Sequence, residues 1–362
     1  MLRSILKSLR RGAAPPARGS GADAGVPAKQ SRFADRLSII VPSVAGRARF
    51  FDTALRHFAT CAVRWPILVS DHSAAEHESV LSGVAARYPS LDLRLLRHPP
   101  AMHFLERLAR CTEAAQTDYV VFHADDDFMM PAAMESCIDF LDANPDFAAC
   151  QGRMVWFRIA ALGEVRINRT GGRTHTEDDA ADRLIKHVAN FTPTLYAIHR
   201  REVFVESCLR TLDFTHNVIF WQYLGSCISV LRGKLKTLDG LYYLRLDNAI
   251  GWRAQLIGRR DPSHWPYIAV SPEFSAELVR FKNGLHALLA GSGENRDLSP
   301  RIDDACLSLI RRGLCDMTKD PIDTHEAGFL ARLQAPGSEE HELLQYAAQC
   351  VRRAQEPALV SP

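Results

Sequence analysis

Short apolar runs alternate with amphipathic segments over the first hundred residues that read as ordered. Runs typical of buried strands occur four times, at Leu37–Val41, Ile67–Val69, 91–99 and 118–124. Between them apolar residues recur at helical spacing, as Phe51, Leu55 and Phe58 do after the first run. Strands that alternate with helices require right-handed crossovers and predict a mostly parallel sheet covered on both faces. Ligands of such an α/β sheet bind beyond the carboxyl ends of its strands.

The alternation continues less regularly to about residue 250. A helix is expected over 131–145, a strand over 147–157, a strand over 192–204, an apolar helix over 218–235 and a closing strand over 238–248. The polar stretch 168–183, with two glycines and few apolar residues, is expected to be a loop. Helical patterns follow from about Trp252. We therefore predict a disordered basic leader over residues 1–35, an α/β domain over 36–250 and a mainly helical extension over 251–362.

Composition excludes several classes of protein. A hydrophobic fraction of 47% supplies material for a substantial core, and a net charge of +2 is too small for a chain-wide nucleic-acid surface. The nine cysteines include no CxxC pair, which disfavours both a zinc site and a disulfide framework. No apolar run reaches the roughly 20 residues of a spanning helix. These features predict a protein of the cytoplasm.

The leader combines a basic start with an Ala/Gly/Pro-rich stretch. This composition buries little apolar surface, so disorder is the first expectation. Two alternatives stay open. Leu2, Ile5, Leu6 and Leu9 lie at helical spacing among basic residues and could rest on the inner face of an anionic membrane, or the segment could be a cleaved targeting peptide.

Polar clusters follow three of the predicted strands. Ser43–Arg47 comes after the first strand, Asp71–Ser73 after the second and Asp125–Asp127 after the fourth. Because the carboxyl ends of parallel strands meet at one edge, these clusters are expected to line one pocket.

Three consecutive aspartates at the end of a buried strand repel one another. Removing their water is costly unless a cation compensates the charge. Carboxylate oxygens suit Mg²⁺ or Mn²⁺, ions that usually bind together with substrate phosphates. The segment Asp125–Asp127 therefore predicts a divalent metal site. The alternative is a solvated turn in which an aspartate caps the next helix.

Residues 37–248 resemble the inverting family-two glycosyltransferases, which have the A-type (GT-A) nucleotide-sugar fold. The stretch "VPSVAGR" is similar to the family's first strand and turn, "ILVSDHS" to the strand whose aspartate binds the nucleotide base, and "VVFHADDDFMMP" to its DxD motif. The resemblance implies a nucleotide diphosphate sugar as donor, a glycan or other hydroxyl compound as acceptor, and Mn²⁺ or Mg²⁺ as cofactor.

The resemblance also implies roles for individual residues. Asp126 would be the direct metal ligand, Asp125 would face the ribose or the metal, and Asp127 would be a further ligand. Asp71 would hold the base. The remaining residues expected at the nucleotide are Pro42, Ser43, Arg47, Ser73, Arg107 and Arg245. For Arg107 a solvated helix face is the alternative.

The sequence departs from the family where the general base is expected. The family's acidic pair at the start of a helix is replaced by His216 and Asn217, and Asp213 lies three residues upstream. Asp213 is the first candidate for the base and His216 the second; both could instead belong to a capped helix start. In the closing strand, Asp247 stands where the family has a histidine, so it is a candidate metal ligand or a solvated strand end.

The predicted activity is a metal-dependent, inverting transfer of a sugar to a hydroxyl group. Two other functions are compatible with the sequence. A haloacid-dehalogenase-like phosphatase would use Asp125 as nucleophile, although Met129 occupies the usual Thr/Val position. A non-catalytic nucleotide-sugar-binding protein would explain the departure at His216 and Asn217.

Overall fold

The computed structural model of the chain describes residues 35–160, 163–246, 272–315 and 324–355. Residues 1–34 of the predicted leader and Asp247 lie outside these residues. The predicted divisions at residues 35/36 and 250/251 stay predictions, as do the membrane contact and the location in the cytoplasm. Within the described ranges, none of the helices has the length and apolar composition needed to span a bilayer.

The described residues form an α/β fold around one twisted sheet, as predicted. The strands are β1 Leu37–Ser43, β2 Ile67–Asp71, β3 Leu93–Arg97, β4 Tyr119–Phe122, β5 Phe128–Met129, β6 Phe147–Ile159, β7 Val165–Gly171, β8 Ile198–Arg200 and β9 Lys234–Leu246. Their order in the sheet is β3-β2-β1-β4-β8-β6-β9-β5, with β7 paired to β6. The helices are α1 Ala48–Thr60, α2 Glu78–Ala85, α3 Phe104–Glu113, α4 Pro131–Ala143, α5 Ala180–Ala189, α6 Arg201–Leu212, α7 Val218–Arg232, α8 Pro272–Gly291, α9 Ser299–Cys315, α10 Thr324–Gln334 and α11 Glu339–Gln355.

The first four strands pair in parallel, as the alternating pattern predicts. Their side chains are almost all buried in β1, β2 and β4, since helices cover both faces. Beyond β4 the sheet is mixed, because β8 runs antiparallel to both β4 and β6. Helix α6 therefore starts at the amino edge of the sheet, where the Arg201 amide donates to the Asp118 carbonyl at 2.9 Å, and it ends near the carboxyl edge.

Strand β7 corrects the expectation of a loop from residue 168. It forms a hairpin with β6, and its register reaches Val155↔Thr170 and Met154↔Gly171. Backbone hydrogen bonds to β6 hold this strand in place, because its polar sequence has few apolar side chains to bury. Gly171 fits there because a Cβ would lie 2.7 Å from the Trp156 ring.

The C-terminal helices contribute to two separate hydrophobic clusters of the fold. Helices α8 and α9 share a core with α5 and α7, to which Phe281, Leu285 and Leu309 contribute. Helices α10 and α11 cover the end of the sheet formed by β5, β6 and β9, where Phe329 and Leu344 join Phe128 and Leu244. The described part of the extension is helical, as predicted, and it packs around the sheet.

Candidate active site

Ser43 joins the three polar clusters at the carboxyl edge of the sheet. In the parallel register it lies opposite Asp71, the last residue of β2. Its hydroxyl donates a 2.7 Å hydrogen bond to Asp125 Oδ2, just beyond β4. The clusters predicted from three separate strand ends therefore meet in one place.

Asp71 is held so that one carboxylate oxygen is occupied and the other is unpartnered. Oδ1 accepts hydrogen bonds from the Ser73 amide at 2.8 Å and the Ser73 hydroxyl at 2.6 Å. Ser73 Oγ in turn accepts from the Ala45 amide at 2.8 Å, which fixes the first loop to the second. Oδ2 is buried and has no hydrogen-bond partner among the described residues. A buried acceptor without a partner costs about 1–3 kcal/mol, so Oδ2 is a strong site for an N–H donor.

Three more buried polar atoms without partners in the described part of the chain lie on residues near Asp71. They are His72 Nδ1, His98 Nε2 and Arg107 Nη1. Burial lowers the pKa of Arg107 to about 10. Burial first, and then the Arg107 charge, lower the pKa of His72 to about 4. Neutral imidazoles, a carboxylate and a guanidinium together offer both acceptors and donors to a polar ring.

Arg47 binds two of the three aspartates. Its Nε lies 2.9 and 3.1 Å from the two oxygens of Asp125, and its Nη2 lies 2.6 Å from Asp125 Oδ1. The same Nη2 lies 2.9 Å from Asp126 Oδ2. Burial raises the pKa of Asp125 to about 6, although Arg47 and Ser43 favour its ionised form.

Asp127 attaches the aspartate loop, Asp125–Asp127, to β9 through two hydrogen bonds. Its Oδ2 accepts from the Tyr243 hydroxyl at 2.6 Å and its Oδ1 from the Leu246 amide at 2.9 Å. Burial, and next the neighbouring Asp126, raise the pKa of Asp127 to about 8, whereas the Arg245 charge opposes that shift. Both oxygens of Asp127, predicted as a metal ligand, are thus engaged by the protein.

Asp126 is the least engaged of the three carboxylates. Its side chain is 11% exposed, against 4% for Asp125, and Arg47 is its ion-pair partner. One carboxylate completed by substrate phosphates is a common arrangement for Mg²⁺. The residues therefore fit a divalent ion bound mainly through Asp126. Among the described residues no group of three metal-ligating side chains is preassembled.

Arg245 lies beside the same loop. Its guanidinium is 5.2 Å from the centre of the Tyr196 ring and 6.0 Å from that of Trp156. Aromatic faces hold a cation at such distances without neutralising it. Arg245 thus adds positive charge behind Asp127.

The two candidate bases lie at the carboxyl edge as well. Asp213 follows the last residue of α6 and is exposed. His103 Nε2 donates to the His216 carbonyl at 3.0 Å, and the two imidazole rings are 5.2 Å apart. Because His103 caps α3, this contact places His216 one helical turn from Arg107.

Thr215 lies in the turn that leads into α7, three residues before the helix begins. Its Oγ1 accepts from the Asn217 amide at 2.9 Å and donates to Glu277 Oε2 at 2.8 Å. This hydrogen bond belongs to the turn before the helix, so both capping alternatives stay predictions and Asp213 stays a candidate base. Glu277, from the C-terminal helices, is an acidic residue near this helix start that the sequence pattern did not indicate.

The sequence did not indicate Tyr243 as part of this site. The strand alternation of "LYYLRL" places Tyr242 and Tyr243 on opposite faces, and the pairing Met129↔Tyr243 brings the second to the aspartate loop. That long-range pairing leaves no signal in the local sequence.

A cavity of about 340 Å³ lies at the opposite, amino edge of the sheet. Arg36, Arg200 and Arg201 line it together with Asp118, Asp142 and Glu202. Arg36 pairs with both aspartates, at 3.0 and 2.7 Å. The cavity is therefore compensated in charge and far from the clusters that Ser43 joins.

No family model and no curated protein matches the chain. Among solved structures it is similar to the mannosyltransferase PcManGT from Pyrobaculum calidifontis in complex with GDP-Man and Mn²⁺, with 14% identity, 97% of this chain and 93% of that chain covered, and a TM-score of 0.44. It is also similar to TarS 1-349 from S. aureus in complex with UDP-GlcNAc, with 13% identity, 88% and 89% covered, and a TM-score of 0.42.

The hydrogen bond from Tyr243 to Asp127 leads to a prediction about stability. Tyr243→Phe removes a hydrogen bond to a buried carboxyl group and should lower the free energy of unfolding by about 1–3 kcal/mol. The matched control is Tyr242→Phe, whose hydroxyl donates to the neutral Tyr196 carbonyl at 2.7 Å and should cost about 1 kcal/mol. Urea unfolding measures both. A Tyr243→Phe protein as stable as the wild type would show that this hydrogen bond contributes nothing to the free energy of unfolding.

Proposed function

We propose that this chain is a glycosyltransferase that moves a sugar from a nucleotide diphosphate sugar to an acceptor hydroxyl, with Mn²⁺ or Mg²⁺ as cofactor and inversion at the anomeric carbon. The carrying observation is the position of Ser43, which pairs in register with Asp71 and hydrogen-bonds Asp125. A single ligand of nucleotide length could therefore contact the unpartnered oxygen of Asp71 and the aspartate loop together.

The base would bind at Asp71. Oδ2 accepts one N–H, and Arg107 Nη1 is available to donate to a ring carbonyl. The first loop, Pro42 to Arg47, and Ser73 lie between this pocket and the aspartates, where the ribose and diphosphate would run. Ser43, Arg47 and Ser73 would then lie along the ribose and the diphosphate.

The metal would be held by Asp126, with Asp125 fixed behind it by Ser43 and Arg47. When bound, a divalent ion neutralises charge that develops on the departing diphosphate. Asp127 and Tyr243 hold the loop at a set distance from β9. Asp247 is outside the described residues and stays a candidate further ligand.

The acceptor would approach from the side of α6 and α7. Asp213, exposed at the end of α6, is the first candidate to remove the hydroxyl proton, and His216 is the second. In-line attack from that side requires the base and the leaving group to lie on opposite sides of the sugar, which is the geometry of inversion.

The phosphatase alternative requires a free Asp125 as nucleophile. Arg47 and Ser43 occupy both of its oxygens, so the geometry disfavours attack by this carboxylate. Hydrolysis of p-nitrophenyl phosphate in the absence of nucleotide would support the phosphatase and contradict sugar transfer.

The first prediction from this proposal concerns Asp126. Asp126→Asn should weaken Mn²⁺-dependent binding of a nucleoside diphosphate by about 100-fold, because it removes the charge that holds the ion. Calorimetric titration of UDP with and without Mn²⁺ measures this. The control is Asp118→Asn, a 70% exposed aspartate at the opposite end of the same strand. Equal UDP affinity with Mn²⁺ in the wild type and Asp126→Asn would refute the metal site.

The second prediction concerns the base of the donor. Guanine presents two neighbouring donors to a carboxylate, whereas uracil presents one, N3–H. Since Ser73 occupies Asp71 Oδ1, only Oδ2 is open to the base. UDP should bind roughly 3- to 10-fold more tightly than GDP, the value of one buried hydrogen bond. Tighter binding of GDP in competitive titration would show that the base is held differently.

The third prediction separates the two candidate bases. Asp213→Asn should lower the rate of UDP release from UDP-sugars, with water as acceptor, by about 100-fold while UDP affinity stays the same. His216→Gln should have a small effect. The opposite pattern would assign the role to His216, and unchanged rates in both variants would remove both residues from the mechanism. Tight UDP binding without any turnover in the wild type would favour the non-catalytic binding protein.

A further inference from the structure

Arg47 occupies a position between two carboxylates that a cation would otherwise share. Its Nη2 is 2.6 Å from Asp125 Oδ1 and 2.9 Å from Asp126 Oδ2. These are short, charge-assisted contacts. A divalent ion approaching Asp126 therefore meets a carboxylate that already has a positive partner.

The guanidinium is built into this position by its surroundings. Its side chain is 17% exposed, and its Cζ lies 4.8 Å from the centre of the Phe50 ring. The short 3₁₀ turn Ala45–Arg47 that carries it is tied to the second loop through the Ala45 amide and Ser73 Oγ. The contact with Asp125 involves two nitrogens, whereas Asp126 is reached by Nη2 alone. The bond to Asp126 is thus the one that can be given up while Asp125 stays bound.

Charge decides when that bond would break. Asp125 and Asp127 are already engaged by protein groups, and Arg47 and Arg245 bring two positive charges to the loop region, which leaves little negative charge for a metal to use. A bare divalent ion at Asp126 would lie within a few ångströms of the guanidinium and be repelled by it. A diphosphate brings further negative charge and oxygens that a guanidinium binds well. Metal and diphosphate together can therefore displace Arg47 from Asp126 where the metal alone cannot.

We propose that Arg47 is a resident counter-ion that keeps Asp126 paired until the nucleotide arrives, then passes Asp126 to the metal and turns its free N–H groups to the diphosphate. This inference rests on the proposed function. It makes the metal affinity of the empty protein low and couples metal binding to nucleotide binding. Arg47 thus acts on Asp126 in the empty protein and contacts the diphosphate in the complex.

Binding of Mn²⁺ alone tests the inference, with the free ion followed by electron paramagnetic resonance. Arg47→Gln removes the competing charge and should bind Mn²⁺ about tenfold or more tightly than the wild type in the absence of nucleotide. UDP should increase the Mn²⁺ affinity of the wild type strongly and that of Arg47→Gln much less. The matched control is Arg64→Gln, which removes an exposed arginine before β2 at the amino edge and should leave Mn²⁺ affinity unchanged.

Arg47→Gln leaves Asp125 without its partner, so its folding is checked by circular dichroism. If it does not fold, Arg47→Lys serves instead, because lysine keeps the charge but does not have the fork that reaches both carboxylates; its Mn²⁺ affinity should lie above that of the wild type. A folded variant that binds Mn²⁺ no more tightly than the wild type overturns the inference, even when UDP promotes Mn²⁺ binding normally. Absence of Mn²⁺ binding in every variant, with UDP present, overturns the proposed function as well.

Discussion

Repulsion among Asp125, Asp126 and Asp127 is the constraint on which the carboxyl edge of this sheet depends. Consecutive carboxylates at the end of a buried strand can be accommodated only if each has its own compensation. Asp125 is bound by Ser43 and Arg47, and Asp127 by Tyr243 and the Leu246 amide. These partners come from β1, the turn after it and β9, so the loop joins strands that lie on either side of β4 in the sheet.

The C-terminal helices α10 and α11 pack against the residues that follow the aspartate loop. Phe128 and Met130, which follow the aspartates, are buried among Phe329 of α10 and Leu344 of α11. His57 Nε2 donates to the Met129 carbonyl at 2.7 Å, and its ring lies 5.8 Å from that of Tyr346. Burial lowers the pKa of His57 to about 4, so this donor is a neutral imidazole at physiological pH. The aspartates are thus anchored on both flanks, upstream by β4 and downstream by this packing.

The sequence carries much of the first half of the fold and little of the second. Apolar runs separated by helical spacing were enough to predict β1 to β4, and the local pattern is strongest in β1, β2 and β4, which are buried on both faces. Strand β7 was missed since its residues are held by backbone pairing with β6. Ser43, Asp71 and Asp125 were predicted to meet because strand ends converge, and they do. Three contacts join segments that are distant in the sequence, and no local pattern encodes them. They are the hydrogen bond from Tyr243 to Asp127, the ion pair of Arg47 with Asp126 and the hydrogen bond from Thr215 to Glu277.

The central claim is that one nucleotide spans Asp71 and Asp126 across Ser43. A crystal structure of the full chain with UDP and Mn²⁺ tests it most directly. The account predicts uracil N3–H on Asp71 Oδ2, the anomalous signal of manganese beside Asp126, and the diphosphate between them. Electron density for the nucleotide in the cavity lined by Arg36 and Arg200, or manganese bound away from Asp126, would contradict it.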